Sequence, residues 1–390
     1  MIGIAGALAL QLGVLFGAAG SQKGDCPYCH NSPDILQRAG LVSHGPFPYA
    51  ATTSEEVEKH LGYLKEQYWL ESAHFRFASS LPAYQIPDRD KKKIQAELAE
   101  LQTLLPAVNP KTMVLDPWLR IHLFAYRAEK FYNWFLDLLG LEESAFQGTR
   151  SGKYLGEGRY LGEKGKYEVF LFHAKAPFVD FMRTYTGMEH DRPHRHNFLK
   201  TDNLWFGCHT VDDQLNRDLN LYSTLLHNLA QNFLDGYKHY SYDLPVWLTE
   251  GFAHFCERMA TEEYVSYCFV ESVSNFRQNG GGWPQEVRRR LGTGGVPSFA
   301  DLSRKKSFAE IDETDHFIIW SMVDFMVKSD KKKFAAFLDR MKGRLDDQGL
   351  PDARGLTDVQ RAAIKEVFGY SYPQFESAWR AYVAKEYSLK

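Results

Sequence analysis

Two consecutive amphipathic segments in the middle of the chain constrain its fold most. In residues 213–234, apolar side chains recur every three or four positions, which predicts a long helix. A second helical segment follows after a turn and spans residues 245–260, with Pro245 at a first helical position. The apolar stripe of the first segment consists of Leu215, Leu219, Tyr222, Leu226, Ala230 and Phe233.

Both segments carry polar residues at the spacing of one helical turn. His227 and Gln231 are four residues apart and therefore share a face of the first helix. Eighteen residues separate Gln231 from Glu250 on the second helix, and His254 follows Glu250 by one turn. These side chains either form a site between the helices or lie on ordinary solvated helix faces.

The string around Glu250 resembles the gluzincin metallopeptidases. It reads Trp247-Leu248-Thr249-Glu250-Gly251-Phe252-Ala253, close to the W-L-x-E-G-x-A string of that family. Gluzincins bind zinc through an H-E-x-x-H helix and a glutamate from the next helix. The resemblance implies that His227 corresponds to the first zinc ligand and Glu250 to the third, with one zinc position left for a water molecule.

Two residues depart from this pattern. Asn228 stands where the family has the glutamate that accepts a proton from the zinc-bound water, and an amide cannot accept that proton. Gln231 stands where the second histidine is expected, and a neutral amide is a poor zinc ligand. We therefore expect a non-hydrolytic protein with a binding or scaffolding role. The alternative is a zinc peptidase with rearranged ligands, in which His254 completes a set with His227 and Glu250.

The order of weaker strings extends the resemblance over most of the chain. A strand-like segment at 71–77, a helix near 128–132 and a strand at 167–172 precede the paired helices, and the string at 375–382 follows them. This order is similar to that of secreted peptidase-like proteins of planctomycete type. We expect an α+β fold, with a small sheet packed on many helices, in one gluzincin-like domain over residues 66–390.

The start of the chain has the pattern of a secretory signal. Residues 1–20 are almost wholly apolar and end in the small residues Gly17-Ala18-Ala19-Gly20. We expect export to the periplasm or the extracellular space. No later segment approaches the length of a membrane span, so no membrane contact is expected beyond this signal. A short cysteine-bearing segment, residues 21–65, follows the signal.

Cys26-Pro27-Tyr28-Cys29-His30 fits the C-x-x-C-H pattern of covalent haem c attachment. In that interpretation Cys26 and Cys29 form thioethers, and His30 is an axial iron ligand. Two other interpretations remain open. The cysteines form a disulfide or redox pair, or they bind a metal together with His44.

Charge and composition exclude some classes of function. The chain has 46 basic and 49 acidic residues, a net charge of −3, which argues against a nucleic-acid-binding protein. Hydrophobic residues make up 44% of the 390 residues, enough for a large core. The remaining candidate partner is a protein or peptide ligand whose identity the sequence does not give.

Overall fold

The computed structural model describes residues 26–62, 66–146, 154–211, 214–267 and 281–388. The predicted signal at 1–20 lies outside these residues. The α-helices of the described residues are α1 (Pro33–Arg38), α2 (Ser54–Leu61), α3 (Asp88–Leu104), α4 (Pro117–Leu139), α5 (Lys175–Phe181), α6 (Asp218–Gly236), α7 (Val246–Glu257), α8 (Trp283–Thr293), α9 (Phe299–Leu302), α10 (Glu313–Ser329), α11 (Lys331–Met341), α12 (Leu356–Ala363) and α13 (Tyr372–Glu386).

The strands of the described residues are short and contain fewer residues than the helices. They are β1 (Leu41–Ser43), β2 (Pro48–Tyr49), β3 (Thr52–Thr53), β4 (Tyr68–Ser72), β5 (Phe75–Ser79), β6 (Tyr84–Gln85), β7 (Val114–Leu115), β8 (Tyr167–Phe172), β9 (His194–Phe198) and β10 (Asn203–His209). The mixed α+β class expected from the sequence is confirmed.

One six-stranded mixed sheet organises the fold, with the strand order β1-β4-β5-β8-β10-β9. The central pairs β5–β8 and β8–β10 are parallel, whereas the outer pairs are antiparallel. Every residue of β8 is buried, as expected for a strand covered on both faces. The strand-like segment predicted at 71–77 is not one strand: it covers the end of β4 and the start of β5, which form a hairpin that turns at Ala73 and His74.

The N-terminal segment joins this sheet. β1 pairs with β4 through Leu41 opposite Ser72, so the segment adds an edge strand to the main sheet. Its other elements are short: α1 has six residues, α2 has eight, and β2 and β3 have two each. Cys26 and Cys29 pack into a separate apolar cluster with leucines of α3 and α4.

The predicted pair of central helices is confirmed as α6 and α7. They pack against each other, α10 packs on α7, and α6 lies on β10 of the sheet. Gly251 explains how closely α10 approaches α7: a Cβ atom at this position would lie 2.6 Å from the main-chain oxygen of Ile319 on α10. Only glycine permits this approach.

None of the helices among the described residues combines the length and the apolar character needed to cross a bilayer.

Candidate metal centres

The structure brings the predicted residues His227, Glu250 and His254 together in the interior between α6 and α7. The Nε2 atom of His254 lies 3.1 Å from Oε1 of Glu250, and Nε2 of His227 lies 3.6 Å from the same oxygen. The two imidazole ring centroids are 5.2 Å apart. All three side chains are at most 1% exposed, so they are not on a solvated helix face.

Gln231 holds Glu250 in place. Its Nε2 atom donates to Oε2 of Glu250 at 2.7 Å and lies 3.3 Å from Nε2 of His227. The amide thus occupies the position of the expected second histidine and acts as a hydrogen-bond donor. Because it engages Oε2, the other carboxylate oxygen, Oε1, is left facing the histidines.

Asn228 takes no part in this cluster. Its Nδ2 atom donates to the carbonyl oxygen of Thr224, one turn back on α6, at 2.8 Å. The side chain therefore caps a carbonyl of its own helix instead of facing Glu250. The position of the expected general base carries no proton acceptor directed at the site.

His316 on α10 completes the cluster, and sequence reasoning missed it. Its Nδ1 atom lies 2.8 Å from Nε2 of His254 and 3.8 Å from Oε1 of Glu250. His316 is 0% exposed. It directly follows Asp315, which forms the capping box of α10 with Asp312. The close contact at Gly251 brings this first turn of α10 to Glu250. In the sequence, a histidine near the polar start of an otherwise apolar helix could have indicated this residue.

Glu257 orients two of the imidazoles. Its Oε1 atom lies 2.7 Å from Nδ1 of His254, and its Oε2 atom lies 3.2 Å from Nδ1 of His227 and accepts the Ser266 amide at 2.9 Å. Both rings therefore point Nε2 towards Glu250. A carboxylate that receives the outer N–H of a ligating histidine is a recurrent support of metal sites.

Burial determines the charge state of the histidines. It lowers the pKa of His227, His254 and His316 to about 3, so the three imidazoles are neutral and keep nitrogen lone pairs. Burial also raises the pKa of Glu257 well above its ordinary value. A cation among these groups would offset the cost of burying two carboxyl groups.

Two overlapping groups of three residues could hold a metal ion: Glu250, His254 and His316, and His227, His254 and Glu257. The ligand atoms of each group lie within 4.8 Å of one another. Ligand atoms about 2.0–2.1 Å from a tetrahedral zinc are about 3.3 Å from one another. The distances from Oε1 of Glu250 to the nitrogen atoms of His254, His227 and His316 are 3.1, 3.6 and 3.8 Å, which bracket this value. Neutral imidazoles and a carboxylate are suitable donors for zinc.

The second group of candidate ligands includes the two predicted cysteines. Cys26 and Cys29 are free thiols with 1% and 0% exposure, and both lie beside His44 and His122. The hydrogen bond between the two cysteines lowers the pKa of Cys29 and raises that of Cys26. His30, the predicted axial ligand of a haem, is exposed in a left-handed conformation with a φ of 49° and lies outside this group.

The histidine-rich stretch 190–196 ends in β9, the edge strand of the sheet, where His194 pairs with Gly207 and His196 with Trp205. Burial lowers the pKa of His194 to about 3.

Comparison of the chain with protein-family models, with curated proteins and with solved structures finds no match. The assignment of a role to these clusters therefore depends on the geometry of the chain itself.

Proposed function

We propose that the chain is a non-hydrolytic protein with a gluzincin-like domain, in which a closed zinc centre replaces a catalytic one. The observation that carries the proposal is the convergence of three neutral imidazoles on one carboxylate oxygen in a fully buried position. His227, Glu250 and His254 are the ligands expected from the sequence, and His316 is the fourth.

Four protein ligands leave no position for a reactive water. Catalytic zinc sites use three protein ligands and keep the fourth position for water or substrate, whereas structural sites are closed. In this cluster His316 takes that fourth position. Asn228, at the position of the general base, bonds to its own helix. Both requirements of hydrolysis are therefore missing, and the ion would serve to join α6, α7 and α10.

The competing function is a peptidase that uses only His227, Glu250 and His254. One distance favours it: His316 lies 3.8 Å from Glu250, the longest of the three separations. If His316 stays outside the coordination sphere, water takes the fourth position. Removal of His316 distinguishes the two functions. It removes a zinc ligand from the closed centre, whereas it leaves the three ligands of the peptidase intact.

The decisive experiment is metal analysis of purified protein. We expect His254→Ala and His316→Ala each to lose one equivalent of zinc relative to the wild type. His60→Ala is the matched control, because His60 is half-buried and pairs with Asp180 outside the cluster. Full zinc content in His316→Ala, together with zinc-dependent cleavage of a peptide mixture, would support the peptidase and contradict the closed centre.

A groove next to the cluster is the surface we assign to a peptide ligand. It has a volume of about 820 Å³ and is lined by Pro245, the N-cap residue of α7, and by Val246 and Thr249 of that helix; Thr249 directly precedes Glu250. Residues 303–309 also line the groove, as does Arg195 of β9, which forms an ion pair with Asp235 at 2.6 Å. Apolar and charged groups together suit an extended peptide.

Blocking this groove tests the assignment. Peptides selected from a displayed random library should bind the wild type and fail to bind Ala309→Trp, because Ala309 lines the groove and is exposed. Ala384→Trp, an exposed change on α13, is the control. Peptides that bind Ala309→Trp as well as the wild type would show that the groove is not the binding surface. We place this binding outside the cytoplasm, on the pattern of residues 1–20.

A further inference from the structure

We propose that Cys26, Cys29, His44 and His122 bind a second, structural zinc ion that fastens the N-terminal segment to α4. The proposal is independent of the His227 cluster, since the two groups share no residue. It assigns a use to the cysteine motif that differs from haem attachment and from a disulfide.

The four donor atoms come from three separate parts of the chain. Cys26 and Cys29 lie in one turn, His44 follows β1, and His122 lies in the second turn of α4. One ligand atom from each residue falls in a group whose members are all within 4.8 Å of one another. Two sulfur and two imidazole donors are a common ligand set of structural zinc.

The measured separations suit one tetrahedral ion. The Sγ atom of Cys26 is 3.0 Å from Nε2 of His122, and Sγ of Cys29 is 3.9 Å from Nε2 of His44. A sulfur about 2.3 Å and a nitrogen about 2.0 Å from a tetrahedral zinc are separated by about 3.5 Å. The observed distances lie on either side of this value.

Outer contacts position the ligands. Oδ1 of Asn31 lies 2.6 Å from Nδ1 of His44, which leaves Nε2 of His44 for the metal. The Tyr28 hydroxyl donates to Asp116, the N-cap residue of α4, and so ties the cysteine turn to the helix that carries His122. Trp118 packs edge-on against His44 with ring centroids 5.0 Å apart and shields the group from solvent.

The local structure explains why a metal is useful at this place. The described part of the N-terminal segment consists of two helices of six and eight residues and of strands of two or three residues, so each of its elements is short. A closed zinc site joins it to α4, which is 23 residues long and largely buried. Binding converts both thiols to thiolates with release of their protons and involves no change of oxidation state.

Cobalt substitution tests this site separately from the other cluster. Only thiolate ligands give a sulfur-to-cobalt charge-transfer absorption in the near ultraviolet, and the His227 cluster contains no sulfur. We expect this absorption in the cobalt-loaded wild type, its loss in Cys29→Ser and its weakening in His44→Ala. Cys208→Ala, which removes a buried thiol elsewhere, should retain it.

Three results would overturn the proposal. They are a wild type without the charge-transfer band, a Cys26–Cys29 disulfide in the mass spectrum of metal-free protein purified without reductant, and a covalently attached haem after expression with haem-maturation enzymes. His44→Ala keeps the proposal testable if the cysteine variant fails to fold, because His44 is only half-buried. In the zinc form, His44→Ala should lose one equivalent while the equivalent bound at His254 remains.

Discussion

Replacing Gly251 with alanine should separate α10 from α7 and disrupt the proposed zinc centre without removing a candidate ligand. The added Cβ atom would lie 2.6 Å from the oxygen and 2.9 Å from the carbonyl carbon of Ile319, and 3.0 Å from Cγ2 of Val323. The first two contacts are to main chain, so a rotamer change cannot relieve them. The α10 backbone must move, and His316 lies on the same helix.

The expected cost is that of overpacking a buried interface, about 1–3 kcal/mol. Gly292→Ala is the matched control, since a Cβ atom at Gly292 on α8 meets no atom within 4 Å. That control should be slightly more stable than the wild type, because alanine has the higher helix propensity by about 0.5–1 kcal/mol. Its zinc content should not change.

Urea unfolding followed by circular dichroism measures both variants, and zinc content is determined on the same preparations. We expect Gly251→Ala to unfold at lower urea and to retain less zinc at the His227 cluster. Wild-type stability and full zinc content in Gly251→Ala would refute the claim that close packing of α10 builds the site.

Three further predictions concern separate groups. Glu257→Gln should weaken zinc binding at the His227 cluster by about 10–100-fold, which is the usual effect of removing a carboxylate that orients a metal-binding histidine. Glu262→Gln, a change at an exposed residue, should leave zinc affinity unchanged. Equal zinc affinities of Glu257→Gln and the wild type would contradict the orienting role of Glu257. Burial raises the pKa of Glu168 to about 8 from 4.5, so the folded state keeps a proton that the unfolded state releases. The stabilisation that protonated Glu168 gives the folded state is therefore complete below pH 4.5 and is lost as the pH rises to 8. Between these pH values, urea titrations should show the free energy of unfolding of the wild type falling by about 1.4 kcal/mol per pH unit relative to that of Glu168→Gln. Plots of unfolding free energy against pH that run parallel for the two proteins would exclude the effect. A strong chelator should lower the midpoint of thermal unfolding of the wild type, and it should lower that of His316→Ala by less; an unchanged wild-type midpoint would show that bound metal does not stabilise the fold.

The sequence predicted the two central helices and the candidate ligands that lie close together along the chain. The 3.6-residue periodicity located α6 and α7, and one-turn spacing placed His254 beside Glu250. The hairpin β4–β5 was missed because both of its strands are apolar, and the turn at Ala73 and His74 contains neither glycine nor proline.

The fourth residue proposed for each metal centre could not be predicted from the sequence. His316 is 62 residues from His254, and His122 is 96 residues from Cys26. Each lies in a helix where a single histidine resembles an ordinary core residue, and only tertiary packing brings it to its partners. Gly251 was identified as part of a family string, but its steric role depends on Ile319, which no local pattern connects to it.

Anomalous diffraction at the zinc absorption edge tests the closed centre most directly. We expect a zinc peak about 2.0–2.2 Å from Nε2 of His227, Nε2 of His254, Nδ1 of His316 and Oε1 of Glu250. A peak bound by His227, Glu250, His254 and a water molecule, with His316 withdrawn, would contradict it, as would crystals of zinc-saturated protein without a peak at this position.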